Sequence, residues 1–317
     1  MLQKLKANKI LVILLITMCI FLILNPTLCS KSCLNALSVW TLNILPVMFP
    51  FFIFSRLLVN LITIKPSFLD KTFSKIYNVP CGSFVIFLLS TLSGYPMGAK
   101  LICYMYDTKA IDQKDAKKMM SFCSVSGPMF MVATIGIGVL SSFKAGIIIL
   151  ISNIIASLIN GLLFRKGKTS YKQNILKKTN ENLLTNSVYD SIISILMVGG
   201  FIVFSFLIID ILEFLKIFNL FSSILPIKFQ ESFSAILKGL IEMTRGIIDL
   251  GKTNLTLKSK TVISSALIGF GGTSIFMQSL AFLSKLKFKF TDMLKQKCFQ
   301  GILAGFIAFL LSFVVFC

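Results

Sequence analysis

Ser93-Gly94-Tyr95-Pro96-Met97-Gly98 sits in the middle of an apolar stretch, residues 81–107, that is otherwise long enough to cross a bilayer. Two glycines and a proline in six residues break or bend a helix and free its backbone N–H and C=O groups. At membrane depth such groups are tolerated only inside protein or beside a watery cavity. The stretch is therefore not a clean span, and its break is expected to face protein or a watery cavity. Similar interruptions recur. Residues 119–140 carry Ser124-Val125-Ser126-Gly127-Pro128. Residues 232–250 carry Gly239 and then Glu242-Met243-Thr244-Arg245-Gly246. Residues 261–284 carry Gly269-Phe270-Gly271-Gly272-Thr273-Ser274.

Around these four lie five less interrupted apolar units, roughly 8–25, 34–64, 145–164, 187–209 and 298–316. The chain has 317 residues, 56% hydrophobic and 14% charged, with a mean hydropathy of +0.87. A soluble globule is nearer one quarter charged, so this composition lacks the polar surface a water-soluble particle needs. The absence of histidine removes Ser-His and Cys-His triads and His-bound metals. The eight cysteines have neither disulfide-scaffold nor zinc spacing. There is no Walker loop, no GxGxxG after a strand and no carboxylate cluster for a metal. No enzyme activity and no cofactor are expected. The net charge of +20 reads as the lysine excess of membrane loops, with no nucleic-acid partner. The basic stretches Asp107–Lys118 and Arg165–Lys178 read as solvated segments near anionic lipid.

The order spanning, broken, broken, spanning covers 34–164 and again 187–316, the sequence pointer to a transporter with internal repeats. Counting Lys and Arg tests the topology. If all nine units cross, each side holds 14. If 81–107 and 232–250 are re-entrant hairpins, the N-terminal side holds 21 and the other side 7. The second split obeys the positive-inside rule and puts the N-terminus in the cytoplasm. Each half then crosses three times, so the repeats are inverted. The expected fold is an all-α polytopic membrane protein with about seven spanning helices and two re-entrant hairpins. Its parts are a signal-anchor helix (1–33), a first repeat (34–164), a basic cytoplasmic linker (165–186) and a second repeat (187–317). The poor cleavage site at Asn25–Ser30 favours an uncleaved anchor.

Polar residues inside the units are few: Lys100, Ser124, Ser126, Glu242, Arg245 and Gln278. A charge at bilayer depth is usually paired or functional. Glu242 and Arg245, three apart, have the spacing to pair on one helix face, and Lys100 the length to snorkel to the cytoplasmic face. Phe270 reads as packing. The functional reading is an anion site. Broken helices present N–H groups and positive dipole ends that suit carboxylates, and Lys100 and Arg245 add full positive charges. A small dianion fits this better than a neutral or cationic solute, with Glu242 orienting Arg245 or carrying a coupling ion.

Leu45-Pro46-Val47-Met48-Phe49-Pro50-Phe51-Phe52, Ser93–Lys100 (SGYPMGAK) and Ser126-Gly127-Pro128-Met129-Phe130 resemble the YlbJ-type sporulation integral membrane proteins, the stage V sporulation protein VV family. Gly239-Leu240-Ile241-Glu242 and Gly269–Ser274 agree, so the resemblance runs over nearly the whole chain. It implies a Gate, or nucleoside-recognition, domain similar to concentrative nucleoside transporters. By position, Gly94–Met97 stands for the first hairpin tip, Glu242 for the glutamate of the second, and Gly269–Ser274 for the unwound helix. The first tip here lacks the family's glutamate and has Lys100 nearby, a departure that favours an anion over a nucleoside. The resemblance further implies transport of dipicolinic acid from the mother cell across the outer forespore membrane. The expected substrate-binding residues are Tyr95, Met97, Lys100, Ser126, Gly127, Glu242, Arg245, Gly271, Thr273 and Ser274, with alternating access as mechanism. The expected partners are the small anion, the lipid bilayer, a coupling ion and further copies of the chain. The rival readings are transport of a nucleoside or other metabolite, and a non-transporting scaffold for spore envelope assembly.

Overall fold

The computed structural model describes residues 2–61, 67–167, 169, 182–283, 286 and 288–316. Among the described residues all regular elements are helical. Helix α1 (Leu2–Leu24) precedes α2 (Pro26–Val39), which runs through a π-helical turn (Trp40–Ile44) into α3 (Leu45–Leu61). Then follow α4 (Phe68–Tyr77), α5 (Ser83–Ser93), α6 (Met97–Asp107), α7 (Gln113–Cys123), a π-helical segment (Phe130–Val139) and α8 (Phe143–Leu163). The rest of the chain forms α9 (Leu183–Phe214), α10 (Ile217–Ser222), α11 (Ile227–Ile241), α12 (Met243–Lys252), α13 (Leu257–Phe270), α14 (Gly272–Phe282) and α15 (Phe290–Val315). Most of the basic linker lies outside the described residues.

Among the described residues, five helical stretches are long and apolar enough to cross a membrane: Pro26–Leu58, Phe143–Leu163, Leu183–Phe214, Leu257–Phe282 and Phe290–Val315. The protein is a polytopic, all-α membrane protein. The order of elements is the same in both halves: a long apolar helix, a short helix, a pair of short packed helices, a broken helix and a long closing helix. The arms of the pairs, α5 and α6 with 11 residues each and α11 and α12 with 15 and 10, are about 15–22 Å long. None alone reaches across about 30 Å of hydrocarbon.

Local chemistry sets these elements. Ser67 caps α4 by accepting the Asp70 N–H (3.2 Å), and the buried Asp70 carboxylate in turn accepts the N–H groups of Gly82 (2.7 Å) and Phe84 (3.3 Å). That seats the start of the first pair. Asp112 caps α7 (2.7 Å to the Asp115 N–H), which carries the start of that helix back to Gln113, ahead of the apolar unit. Small residues let helices close up at the π segment and α8, where Gly136 meets Gly146, and between α13 and α15, where Gly269 meets Gly301 and Ala304. Ser152 and Asn153 of α8 bond Ser265 of α13 (2.7 and 3.1 Å), the interhelical polar contact that membrane bundles use as glue.

Candidate functional site

Each helical pair ends on the helix break of its own half. Gly94 has left-handed backbone (φ 77°) and touches Gly127; a Cβ there would lie 2.4 Å from the Gly127 N. Gly272 (φ 75°) lies under the carbonyls of Gly239 and Ile241, and the Thr273 hydroxyl donates to the Ile241 carbonyl (3.2 Å). Both junctions open on one central cavity. Tyr95 comes from the first turn and Ser126 from the first break. Glu242 and Thr244 come from the second turn, and Ile275 and Gln278 from just beyond the second break. Val198 and Ile202 of α9 close one wall. The cavity measures about 30 Å³, room for one or two waters.

Two ionisable groups are buried near this centre: Glu242, which lines the cavity, and Lys297, which lies behind its Tyr95 wall. Glu242, 1% exposed, is the N-cap of α12, and its Oε2 accepts the Arg245 backbone N–H at 2.7 Å. The helix N-terminus offsets its negative charge. The positive group is Lys297. The sequence places it among the 21 cytoplasmic-side cations; the structure places it inside α15, 1% exposed, which takes one from that count. Its Nζ donates to the Tyr95 hydroxyl, to the Ser124 carbonyl (2.9 Å) and to Gln300 Oε1 (2.8 Å), all neutral acceptors. The Ser124 carbonyl is at the buried C-terminal end of α7, and it also receives Gln300 Nε2 and the Tyr95 hydroxyl, both at 3.1 Å. A helix C-terminus favours a cation, which is how this ammonium is held without a carboxylate. The Lys297 side chain also flanks the second break: a Cβ on Gly271 (φ 87°) would lie 3.6 Å from its Cε.

The predicted residues divide into three groups. Tyr95, Ser126 and Glu242 line the central cavity, Gly127, Gly271 and Thr273 form the junctions beside it, and Ser274 is buried next to Gln278 (3.4 Å). Met97 and Lys100 line a second cavity of about 210 Å³ with Arg56, Tyr104 and Phe282. Lys100 Nζ donates there to the Asp190 carbonyl (3.1 Å) and Ser194 Oγ (2.5 Å), while Arg56 pairs with the Asp190 carboxylate (2.7 Å). Arg245 faces a third, wider cavity of about 680 Å³ with Lys238 and Glu213. The Glu242–Arg245 side-chain pair does not form. Glu242 spends its carboxylate on the helix cap, and the Arg245 guanidinium reaches Asp210 (3.1 Å) and Asp249 (3.4 Å) instead. Lys238 completes that network with Glu213 (2.8 Å) and Asp249 (3.2 Å).

Helix α9 orders these three cavities. Asp190 and Ser194 bond Lys100 at the second, Val198 and Ile202 line the central one, and Glu213 the third. Asp190 and Asp210 are twenty residues apart, about 30 Å along a helix and about the hydrocarbon thickness. Asp190 holds Lys100 through its backbone carbonyl and Asp210 holds Arg245 through its carboxylate, each cation lying on the second arm of a helical pair. Arg245→Asp is therefore expected to cripple function by setting four carboxylates against one another, and adding Asp210→Arg should restore part of it. A double variant no better than the single one, in any assay of function, would show that Arg245 does more than hold α9.

The chain is similar to the sporulation integral membrane protein YlbJ of Bacillus subtilis (strain 168), with 25% identity over 320 residues, 90% of this chain and 78% of that protein. The YlbJ-type resemblance carried by Ser93–Lys100 is thereby borne out, and the protein is a homologue of a sporulation membrane protein. No protein-family model and no solved structure matches the chain.

Proposed function

We propose that the protein carries a small organic dianion across a membrane of the sporulating cell by alternating access. Dipicolinate, leaving the mother cell across the outer forespore membrane, is the substrate that fits the family resemblance. The observation that carries this reading is Lys297. An ammonium removed from water costs several kcal/mol, and in membrane segments such groups mark substrate or ion pathways. Its present partners are neutral oxygens, so a carboxylate bound beside Tyr95 would be its first anionic partner. The surrounding breaks at Ser126–Gly127 and Gly271–Gly272 add helix N-termini that suit the second carboxylate.

The three cavities along α9 support the mechanism. In this reading the centre is occluded and the outer two are vestibules on opposite faces. Lys100 with Asp190 closes the cytoplasmic route, and Arg245 with Asp210 closes the other. The two helical pairs move against α9, which both latches share, and the N-terminus is cytoplasmic.

The test is uptake of labelled dipicolinate by vesicles containing the purified protein. Saturable uptake above protein-free vesicles, undiminished by excess uridine, is expected. Uptake equal to protein-free vesicles would reject dipicolinate transport. Inhibition by uridine would point to a nucleoside carrier. Normal spore assembly with Lys100, Glu242 and Arg245 all neutralised would point to a scaffold.

A further inference from the structure

Helix α4 has ten residues, about 15 Å, and is too short to span a bilayer. Its level is set by the end of α8, which is long enough to span. The Tyr77 ring lies against Gly161, the Arg165 guanidinium donates to the Ile76 carbonyl (2.8 Å), and the Asn78 amide donates to the Gly167 carbonyl. The C-terminal end of α4 therefore stands at the membrane face where α8 ends and the basic linker begins. Asp70, Phe73, Ser74 and Tyr77 are buried against the protein. The outward side is divided. Leu69 (62% exposed) and Ile76 (44%) form one edge, the exposed Lys71 and Lys75 form the other, and Phe68 (82%) lies between them. An apolar strip beside a strip of lysines is the pattern of a helix lying in the plane of the lipid headgroups. No acid on α4 offsets the two lysines. Its one carboxylate, Asp70, is 1% exposed and accepts the Gly82 and Phe84 N–H groups.

We propose that α4 binds the headgroup of an anionic phospholipid, with Lys71 and Lys75 at the phosphate and Phe68, Leu69 and Ile76 set among the upper acyl chains. Arg165, exposed at the same end of the helix as Lys75, adds a third positive charge. A neutral lipid would satisfy the apolar edge equally well, so the lysines make the choice. Two lysines at an anionic surface favour it by about tenfold or more. The second half has no such strip: its short helix α10 carries no lysine between Ile217 and Ser222. The contact reaches the first helical pair through Asp70, which ties α4 to the backbone at the start of α5. A headgroup that holds α4 at the surface therefore holds the base of that pair with it. The lipid surface follows from α4 alone; an effect on uptake rests on the transport reading.

The experiment uses the full chain in phosphatidylcholine vesicles, with no dipicolinate present. The chain's single tryptophan is removed by Trp40→Phe, and Phe68→Trp then reports from α4. One set of vesicles carries brominated phosphatidylglycerol, the other brominated phosphatidylcholine at the same mole fraction. Stronger quenching by the brominated phosphatidylglycerol is expected. Lys71→Gln with Lys75→Gln should remove the difference, while Lys228→Gln leaves it unchanged. Leu220→Trp on α10, also in the Trp40→Phe background, should be quenched equally by both lipids. Each variant is first checked for monodisperse elution; if Phe68→Trp fails, Ile76→Trp takes its place. Equal quenching at α4 by the two lipids, or a difference that survives the loss of both lysines, would overturn the proposal. So would a tryptophan shielded from both lipids until the protein is diluted, which would mean that a second copy covers α4. Such a failure would leave dipicolinate uptake standing, and failed uptake would leave the lipid preference standing.

Discussion

Lys297→Met is expected to give a folded, membrane-inserted protein that no longer transports. Among the described residues, the Lys297 Nζ is held by the Tyr95 hydroxyl, the Ser124 carbonyl and Gln300 Oε1. Replacing a buried charge by an apolar side chain of similar volume is often neutral or stabilising, by about 1–4 kcal/mol. Against that, Gln300 Oε1 loses its donor, at a cost of about 1–3 kcal/mol. The Ser124 carbonyl keeps two donors, Tyr95 and Gln300. Stability should therefore stay within about 2 kcal/mol of the parent. Anion binding should not survive: losing a desolvated countercharge costs about 3–5 kcal/mol, more than a hundredfold in affinity. Thermal denaturation in detergent and dipicolinate uptake read the two halves of this expectation separately. Uptake at the parental rate would remove Lys297 from the site.

Gly94→Ala is expected to destabilise the protein most among single small-residue changes at the hairpin tips. At φ 77° an alanine pays for left-handed backbone, about 1–3 kcal/mol. Its Cβ would also stand 2.4 Å from the Gly127 N and 2.9 Å from its Cα. These are backbone atoms and cannot swing aside, so an overpacking cost of about 1–3 kcal/mol is added. The first turn then lifts from the first break, and Tyr95 leaves both Lys297 and the cavity. Gly200 in α9 is the matched control, because a Cβ there meets nothing within 4 Å. Gly200→Ala should be neutral or slightly stabilising, from better helix propensity. Melting temperatures and membrane abundance of the two variants make the comparison. Equal behaviour would mean that the tip and the break are not packed as described.

Much of this architecture is readable in the chain because backbone demands leave marks in residue type. Gly94, Gly271 and Gly272 sit at positive φ, so the break positions are spelled by the only residue that adopts such angles cheaply. The matching order of breaks in the two halves follows from the same marks. What is not readable depends on side chains meeting across long separations. Arg245 is paired with Asp210, thirty-five residues away, and local spacing suggests Glu242 instead because the capping role of Glu242 is invisible until the turn is placed. Lys297 hides among neighbouring loop lysines. One signal does single it out: Met293, Lys297, Gly301 and Gly305 recur every four residues, and Lys297 thus shares the small-residue face that α15 buries.

The central claim is that both turns and both helix breaks surround one anion-accessible point. Ser126→Cys in a cysteine-free background tests it most directly, by labelling with a charged thiosulfonate reagent in sealed vesicles. The account predicts labelling that dipicolinate slows and uridine does not, and that Lys297→Met makes insensitive to dipicolinate. Labelling at the same rate with and without dipicolinate, in a variant that still transports it, would contradict the account.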